Sequence, residues 1–463
     1  MLTIYLKEDS HMPYYEQIYE YIKSEIKNGS LPCHTKLPSS RGLAKNLGVS
    51  RSTVDNAYAQ LQAEGYIEAF PKKGYYVTQI DELINIVPVA YPVTSPKKAK
   101  EKQCEYDFSP VGADALSFPD AYWRKLTKEC MSYDSDKMFQ TSEPQGDYAL
   151  RKSLANFLHQ NRGVNCDLDN IIIGAGSQYL MMILLRLIGR DAAIAMENPA
   201  YLQTYQTFCS LEREVIPIDV DKHGMCVDKL EQSQAEIAYV TPSHQYPLGI
   251  VMPVSRRTQL LNWANYEPRR YVIEDDYDSE FRYQGKPIPA LQSMDKGRKV
   301  IYMGSFSKVI SPAVRMSYMV LPPVLMERYR QIFGSFPCTV SRLDQSVMTR
   351  FMDENYYERH LNRLRNRYKS RHDKLIACIR QWQDKVALSG TNAGSYVILH
   401  WRGRMSEEEL CQKAQKAGVE VYPVSRHYIT PGFLMEPAFL MGFAKMSEED
   451  IGEGIKRLQS VWQ

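Results

Sequence analysis

The sequence contains no uninterrupted apolar run long enough to cross a bilayer. Its most apolar stretch, residues 180–189, is interrupted by Arg186, whereas a transmembrane helix needs about 20 apolar residues. The amino-terminal residues also lack the pattern of a secretory signal peptide. These absences predict a cytoplasmic protein with no membrane partner.

Paired cysteines and excess charge are lacking as well. The nine cysteines are odd in number and include no Cys-x-x-Cys pair, which argues against a disulfide framework or a zinc cluster and for a reducing compartment. The formal net charge is only +3, so an interaction with nucleic acid has to be argued from where the charges lie.

The chain does contain ample material for more than one domain. Of its 463 residues, 44% are hydrophobic and 24% are charged, which is typical of a globular protein with two or three domains. We predict an amino-terminal domain at 1–79, a linker at 80–104 and a large domain at 105–463. The linker is predicted because residues 80–104 lose periodicity and are rich in proline and lysine.

Helix signals dominate the amino-terminal domain. Apolar residues at helical spacing over 13–28 predict a first helix. One of the two serines at 39–40 can cap a second helix, which Gly48 ends, and Ser50 can cap a third over 51–64. Two short helices joined by a tight turn form a helix-turn-helix.

Local charge favours nucleic acid as the partner of this domain. The segment between Cys33 and Val54 holds four bases and no acid, and the first turn of the third helix is where side chains meet phosphates or base edges. Residues 65–77 predict a hairpin with two lysines at its tip, within reach of an adjacent groove. The alternative is a protein-binding module.

The segment from Leu37 to Ile67 reads Leu-Pro-Ser-Ser-Arg-x-Leu-Ala-x-x-Leu-Gly-Val-Ser-Arg-x-Thr-Val, followed after two further residues by Ala-Tyr-x-x-Leu-x-x-Glu-Gly-Tyr-Ile. It resembles the winged helix-turn-helix of GntR-type bacterial transcription regulators, and the resemblance covers roughly residues 10–78. It implies operator DNA as a partner, contacted by Arg41, Arg51, Ser52, Thr53, Lys72, Lys73 and Gly74.

Short β-rich runs alternate with helical segments in the large domain. The runs begin at Ile171, Ala192, Ile237, Tyr271 and Val300, and such alternation predicts a mainly parallel sheet covered by helices. Ligand groups then gather at the carboxyl ends of the strands.

The candidate site residues follow these runs. Residues 174–178 open a helix and could cradle a phosphate. Tyr201 could stack on a planar ring. Three successive carboxylates at 274–276 need a nearby cation, which a protonated pyridine nitrogen would supply. A metal is the alternative, although no His or Cys accompanies the acids at useful spacing.

A lysine follows the last run in the sequence Gly-Ser-Phe-Ser-Lys308, with Arg315 seven residues later. An amine that can lose its proton forms a Schiff base with an aldehyde, and a guanidinium and a hydroxyl suit a phosphate. Ser305 offers the hydroxyl. The alternative is a solvated polar loop.

Together these motifs resemble class I aminotransferases, which are pyridoxal-phosphate enzymes of fold type I. The resemblance implies that Lys308 carries the cofactor as a Schiff base. It implies that the remaining cofactor contacts come from Gly176, Ser177, Gln178, Tyr201, His244, Asp275, Tyr277, Ser305, Ser307 and Arg315, with no metal. Asp275 would pair with the pyridine nitrogen and Tyr277 with the phenolic oxygen.

A GntR-type reader fused to such a domain resembles the MocR/GabR-type regulators. The resemblance implies a homodimer and a small amine, amino acid or pyridoxal phosphate itself as the effector. Tyr246 replaces the usual asparagine, for which His244 or Gln245 could substitute. The usual carboxylate-binding arginine near 439–443 is missing, and Arg426 is the nearest replacement.

We therefore expect a regulator with weak or absent transamination. One alternative is an active aminotransferase of the 2-aminoadipate or aromatic type that carries a DNA-binding domain. Another is an interaction scaffold with a dead cofactor site, against which the intact lysine, aspartate, tyrosine and arginine argue.

Overall fold

The computed structural model describes residues 4–7, 12–79, 104–112, 114, 117–133, 135–283, 285, 288–430 and 436–462. It divides into two compact units, Met1–Lys100 and Glu101–Gln463. Apart from Cys104, the predicted linker lies outside the described residues. None of the helices in the described part is both long and apolar enough to span a bilayer.

The amino-terminal unit consists of three helices followed by a hairpin. Its elements are α1 (Tyr14–Lys27), α2 (Ser40–Leu47), α3 (Arg51–Ala63), β1 (Ile67–Phe70) and β2 (Gly74–Val77). Ser39 caps α2 by accepting from the Gly42 amide at 3.1 Å, and Ser50 caps α3 by accepting from the Thr53 amide at 3.2 Å. Gly48 ends α2 with a φ of 68°. The predicted helix-turn-helix with its wing is confirmed.

One apolar cluster holds this unit together. Ile18 of α1 and Val54 and Leu61 of α3 are fully buried in it, and burying such a side chain contributes about 1.5–3 kcal/mol. Tyr58 is also buried, and its hydroxyl donates to the Pro38 carbonyl at 2.9 Å. The polar faces of α2 and α3 are therefore left for solvent or a partner.

The carboxy-terminal unit is built from strands and helices in alternation. Its strands are β3 (Tyr106–Asp107), β4 (Ile171–Gly174), β5 (Ile194–Asn198), β6 (Val215–Asp221), β7 (Gly224–Met225), β8 (Ile237–Val240), β9 (Tyr271–Asp276), β10 (Val300–Ser305), β11 (Ser317–Val320), β12 (Val386–Ser389), β13 (Tyr396–Trp401), β14 (Val419–Glu420), β15 (Tyr422–Pro423) and β16 (Ala438–Gly442). Its helices are α4 (Asp120–Tyr133), α5 (Ser135–Met138), α6 (Tyr148–Arg162), α7 (Ser177–Ile188), α8 (Leu202–Ser210), α9 (Val227–Glu231), α10 (Val254–Tyr266), α11 (Pro323–Phe333), α12 (Arg342–Asp353), α13 (Tyr356–Arg380), α14 (Glu407–Lys416) and α15 (Glu448–Val461).

An eight-stranded sheet forms the centre of this unit, in the order β4-β11-β10-β9-β8-β5-β6-β7. The strands β10, β9, β8, β5 and β6 are parallel, whereas β11 is antiparallel to both of its neighbours. The predicted mainly parallel sheet is confirmed. The carboxyl ends of β4, β5, β8, β9 and β10 therefore meet at one edge, as expected for a ligand site.

Helices cover both faces of the sheet. Leu184 of α7, Phe208 of α8 and Leu325 of α11 are buried on one face, and Leu230 of α9 and Leu260 of α10 on the other. A second, antiparallel sheet has the order β12-β13-β16-β15. Two strand boundaries were wrong in the prediction. The run beginning at residue 192 becomes a strand only from residue 194 and continues to residue 198. The run beginning at Tyr271 continues as a strand to Asp276, so the three carboxylates at 274–276 lie at the end of β9 and not after it.

Candidate cofactor site and nucleic-acid interface

Lys308 lies on the loop that follows β10. Its Nζ donates to the backbone carbonyls of Pro110 at 3.3 Å and of Gly112 at 3.4 Å. Burial lowers the pKa of Lys308; the charge of Asp278 opposes this shift and that of Lys445 adds to it. The amine can therefore lose its proton more readily than an ordinary lysine, as a nucleophile toward an aldehyde must.

The three successive carboxylates at the end of β9 have different partners. Glu274 accepts from the backbone amides of Leu291 at 2.7 Å and Gln292 at 2.8 Å. Asp276 forms a buried ion pair with Arg162, whose Nε lies 2.8 Å from the carboxylate. The partners of both carboxylates are therefore supplied by the fold itself.

Among the residues that the structure describes, Asp275 has no such cation beside it. Its carboxylate accepts a hydrogen bond from the hydroxyl of Tyr239 on β8, and burial raises the pKa of Asp275 to about 6, against the effect of that bond. A half-buried carboxylate with a hydroxyl but no opposite charge beside it suits a cationic ring nitrogen. This donor set fits pyridoxal phosphate.

Tyr277 stands beside His244. The Tyr277 hydroxyl lies 3.0 Å from His244 Nδ1, and the same nitrogen lies 2.9 Å from a carboxylate oxygen of Asp278. The side chain of Gln245 is instead engaged with backbone groups, including the carbonyl of Pro199 at 3.0 Å. Of the two substitutes considered for the missing asparagine, only His244 adjoins the Tyr277 hydroxyl.

A cradle for an anion forms where the loop after β4 meets Arg315, which lies two residues before β11. Gly176 precedes α7 with a φ of 101°, and Ser177 is exposed on the first turn. Arg315 Nη2 donates to Gln178 Oε1 at 3.2 Å. A Cβ added at Gly176 would lie 2.3 Å from the same Nη2, so only glycine allows the guanidinium this close to the helix amides. Helix amides and a guanidinium together suit a phosphate.

Two serines precede the reactive lysine, one at the end of β10 and one on the loop after it. The hydroxyl of Ser305 donates to that of Ser307 at 2.9 Å and accepts from the Ser307 amide at 3.1 Å. Both side chains are half-buried. These hydrogen bonds fix the two serines directly before Lys308 in the chain.

A group of aromatic rings packs around Tyr246. The rings of Tyr201 and Tyr246 are 5.3 Å apart, and the Tyr246 ring also contacts Tyr277, Tyr396 and His427. Three buried polar atoms in this group, Tyr246 Oη, His244 Nε2 and His427 Nδ1, have no hydrogen-bond partner in the described part of the chain. Such atoms fit a bound polar molecule that supplies the missing partners.

Arg426 lies on the short turn after β15 and is exposed. Its charge acts on Cys411 of α14, where it opposes the burial that raises the thiol pKa. Its neighbour His427 contacts the aromatic group, and the His427 carbonyl accepts from the Ala200 amide at 2.9 Å. Within the described residues, no hydrogen bond joins Arg426 to Lys308 or Tyr201.

Several residues at the site carried no local signal in the sequence. They are Asp278, Tyr239, Tyr396, His427 and Lys445, which come from separate elements and meet only through the fold. Asp278 is the exception that could have been noticed, because it lies two residues beyond the acidic run at the end of β9. Among the described residues, no group of three His, Cys, Asp or Glu side chains could hold a metal ion.

The predicted DNA-contacting residues are mostly exposed on the amino-terminal unit. Arg41 of α2 and Arg51 of α3 are exposed, and Arg51 makes only a surface ion pair with Asp55 at 3.3 Å. Such a pair is weak, so the guanidinium is available to a stronger anion. The hydroxyls of Ser52 and Thr53 lie 2.8 Å and 2.7 Å from that of the capping Ser50.

The hairpin tip presents the two predicted lysines. Lys72 and Lys73 are exposed and Gly74 is half-buried. Lys72 has a φ of 64°, and the Lys73 amide donates to the Phe70 carbonyl at 3.0 Å. A tight, fixed turn therefore holds both ammonium groups outward, as a wing that contacts phosphates requires.

Comparisons with known proteins assign a family to each of the two units. Residues 14–77 match the bacterial regulatory proteins of the gntR family, and residues 112–458 match aminotransferase class I and II. The HTH-type transcriptional regulator YdeL of Bacillus subtilis is 36% identical over 100% of this chain and 99% of its own length. The probable rhizopine catabolism regulatory protein MocR of Rhizobium meliloti is 30% identical over 99% of this chain and 95% of its own. Among solved structures, kynurenine aminotransferase of Pyrococcus horikoshii matches with a TM-score of 0.69 and 27% identity, over 78% of this chain and 91% of that one.

Proposed function

Since the chain belongs to the MocR/GabR-type transcription regulators, in which a gntR-family DNA-binding unit is joined to an aminotransferase class I and II domain that binds pyridoxal phosphate, we propose that its large domain is a sensor. The effector is a small amine or amino acid that reacts at the cofactor site, and its binding changes the affinity for operator DNA. The observation that carries this proposal is Asp275, a carboxylate without a charged partner among the described residues, placed at the same sheet edge as Lys308.

Each residue of the site has a role in this proposal. Pyridoxal phosphate supplies an aldehyde that condenses with amines and a ring that withdraws electrons. Lys308 would offer the amine, and Asp275 would hold the proton on the ring nitrogen. Tyr277, next to His244, would donate to the phenolic oxygen, and Tyr201 would pack against the ring.

The phosphate would be held by the cradle and by two hydroxyls. Helix amides at residues 176–178 and the guanidinium of Arg315 lie close together, and the hydroxyls of Ser305 and Ser307 lie at the end of β10 and just beyond it. Arginine suits this role because its planar fork binds two oxygens at once.

Transamination is weak or absent in this proposal. Tyr246 occupies the position of the asparagine that would bind the phenolic oxygen, and the Tyr246 hydroxyl is buried without a partner in the described residues. Strand β16, where a carboxylate-binding arginine was expected, is apolar and fully buried. A working aminotransferase remains the second candidate, supported by the intact set of Lys308, Asp275 and Arg315.

We further propose that the protein acts as a homodimer on operator DNA in the cytoplasm. A single helix-turn-helix reads one half-site, and two-fold symmetry lets a dimer read two. Arg51 on the first turn of α3 reads a base edge, and Lys72 at the wing contacts phosphate. Sedimentation at micromolar concentration should show a dimer, and a monomer would contradict this.

The test follows cofactor absorbance and operator affinity in one titration with amines and amino acids. We expect at least one compound to change both, and Lys308→Ala to abolish the absorbance change. A spectral change with no change in operator affinity would refute the sensor. Rapid multiple turnover with an amino donor and an oxo-acid acceptor would favour the aminotransferase.

A further inference from the structure

A second lysine approaches the reactive lysine from the loop after strand β16. Lys445 lies three residues beyond the end of β16 and is exposed. Its side chain crosses Gly112 so closely that a Cβ added at that glycine would lie 2.1 Å from Lys445 Cε and 2.8 Å from Nζ. Gly112 has a φ of 111°, so both its backbone conformation and its surroundings require glycine.

Gly112 is also a direct partner of Lys308. Its carbonyl accepts from Lys308 Nζ at 3.4 Å, while the Lys445 ammonium lies on the Cα side of the same residue. One glycine therefore separates two amines. Their proximity is consistent with the Lys445 charge adding to burial in lowering the pKa of Lys308.

The acids nearby are already engaged. Asp278 lies 2.9 Å from His244 Nδ1, and buried Asp114 is paired with Arg367 at 3.1 Å and Arg371 at 3.0 Å. Lys445 itself forms no hydrogen bond or ion pair within the described residues. A cation without a counter-charge beside a reactive amine favours an anionic ligand group at this position.

We propose that Lys445 binds the carboxylate of an amino-acid effector whose amine reacts at the cofactor site. This inference rests on the proposed sensor function and narrows it, because the site then selects amino acids over amines that lack a carboxylate. Lys445 thus takes the carboxylate-binding role that the sequence led us to expect for Arg426. The charge of Arg426 acts instead on Cys411 of α14.

The experiment titrates full-length, cofactor-loaded protein with matched pairs, such as L-leucine and isopentylamine, and follows absorbance and operator affinity. Lys445→Gln should weaken the response to the amino acid by roughly tenfold to a hundredfold, the range for a lost charge-assisted hydrogen bond. The response to the amine should not change. Lys445→Arg should restore most of the preference, and Lys456→Gln, on an exposed lysine of α15, should change nothing.

The possible failures are distinguishable. If Lys445→Gln weakens amine and amino acid equally, or weakens neither, Lys445 is not the carboxylate group although the sensor proposal stands. If Arg426→Ala abolishes the preference and Lys445→Gln does not, Arg426 is the anchor and this inference is overturned. If no amino acid changes the absorbance or operator affinity of the wild type, the effector proposal fails and this inference with it.

Discussion

Two glycines at the ends of α7 provide a sharp test of the phosphate cradle. Gly176 precedes the helix with φ 101° and ψ 162°, and Gly189 follows it with φ 112° and ψ 164°. A Cβ at Gly176 would lie 2.3 Å from Arg315 Nη2 and 2.9 Å from Arg315 Cζ, whereas at Gly189 nothing lies within 4 Å. The two positions therefore share a backbone conformation but differ in what a methyl group would displace.

Alanine at either position should destabilise the fold by a similar amount. Holding a non-glycine residue in this region of backbone space costs on the order of 1–3 kcal/mol, and we expect that loss for both variants in urea unfolding. Gly176→Ala must in addition move Arg315 away from the helix amides. A lost hydrogen bond from a charged group costs about 1.5–3 kcal/mol, which corresponds to roughly a tenfold to 150-fold weaker cofactor affinity.

The assay measures the unfolding free energy of cofactor-free protein and the dissociation constant of pyridoxal phosphate for each variant. Gly189→Ala should bind the cofactor as the wild type does once its lower stability is taken into account. Wild-type affinity in Gly176→Ala would refute the cradle. Equal losses in both variants would show that the cofactor responds to the stability of α7 and not to Arg315.

The remaining predictions concern the lysine, the reader and one histidine. Lys308→Ala should abolish cofactor that borohydride fixes to the chain and leave the unfolding transition intact; fixation on another lysine would contradict the assignment. Arg51→Ala should cost roughly 1–3 kcal/mol on operator DNA and relax its sequence preference, whereas Lys72→Ala should weaken all sequences alike and lower the salt slope by about one, both measured by salt-dependent binding. Burial lowers the pKa of His427 to about 4, below the ordinary value of about 6.5. The unfolded chain therefore takes up that proton first as pH falls, so stability decreases between about pH 6.5 and 4, and His427→Gln should remove up to about 3 kcal/mol of that decrease in urea unfolding.

The amino-terminal unit could be predicted closely because its signals are local. Ser39, Gly48 and Ser50 act on amides and carbonyls within a few residues of themselves, and helix caps are written in short sequence patterns. The fold around them adds burial but does not change where the helices begin.

Strand β5 shows where local signals fail. The apolar run begins at Ala192, but the strand extends through Glu197 and Asn198, both buried. Glu197 is tolerated there because it accepts from the amide and hydroxyl of Thr241 at 3.2 Å and 3.1 Å. A polar residue can interrupt the apolar pattern while the strand continues, because its hydrogen-bond partner comes from a residue that follows another strand.

The antiparallel strand β11 has a similar explanation. It returns beside β10 after a connection that contains no long helix, whereas a parallel neighbour needs a crossover of a dozen or more residues. Alternating runs in the sequence predict that most of the strands are parallel. The antiparallel direction of β11 follows only from the short connection that precedes it.

At the site, the sequence identifies the residue types but not their partners. Three consecutive acids look equivalent in the sequence, yet Glu274 is bound by backbone amides and Asp276 by Arg162. Only Asp275 is left for a ligand. In the same way, His244 and Gln245 are equal candidates until the backbone engages the amide of Gln245.

The unpaired charges of Asp275 and Lys445 supply a physical basis for the proposed sensor function. Asp275 and Lys445 have opposite charges, and neither has a charged partner in the described residues. An effector changes an equilibrium only through a difference in its affinity for two states. A ligand that compensates unpaired charges in a partly buried site contributes more free energy than the same groups would at an exposed surface. Any change of state that moves strand β9 relative to residues 110–112 would alter how well the cofactor at Asp275 and the effector carboxylate at Lys445 can be bound together. The affinity difference that a regulator needs can therefore come from the separation of these two groups, without a product being released.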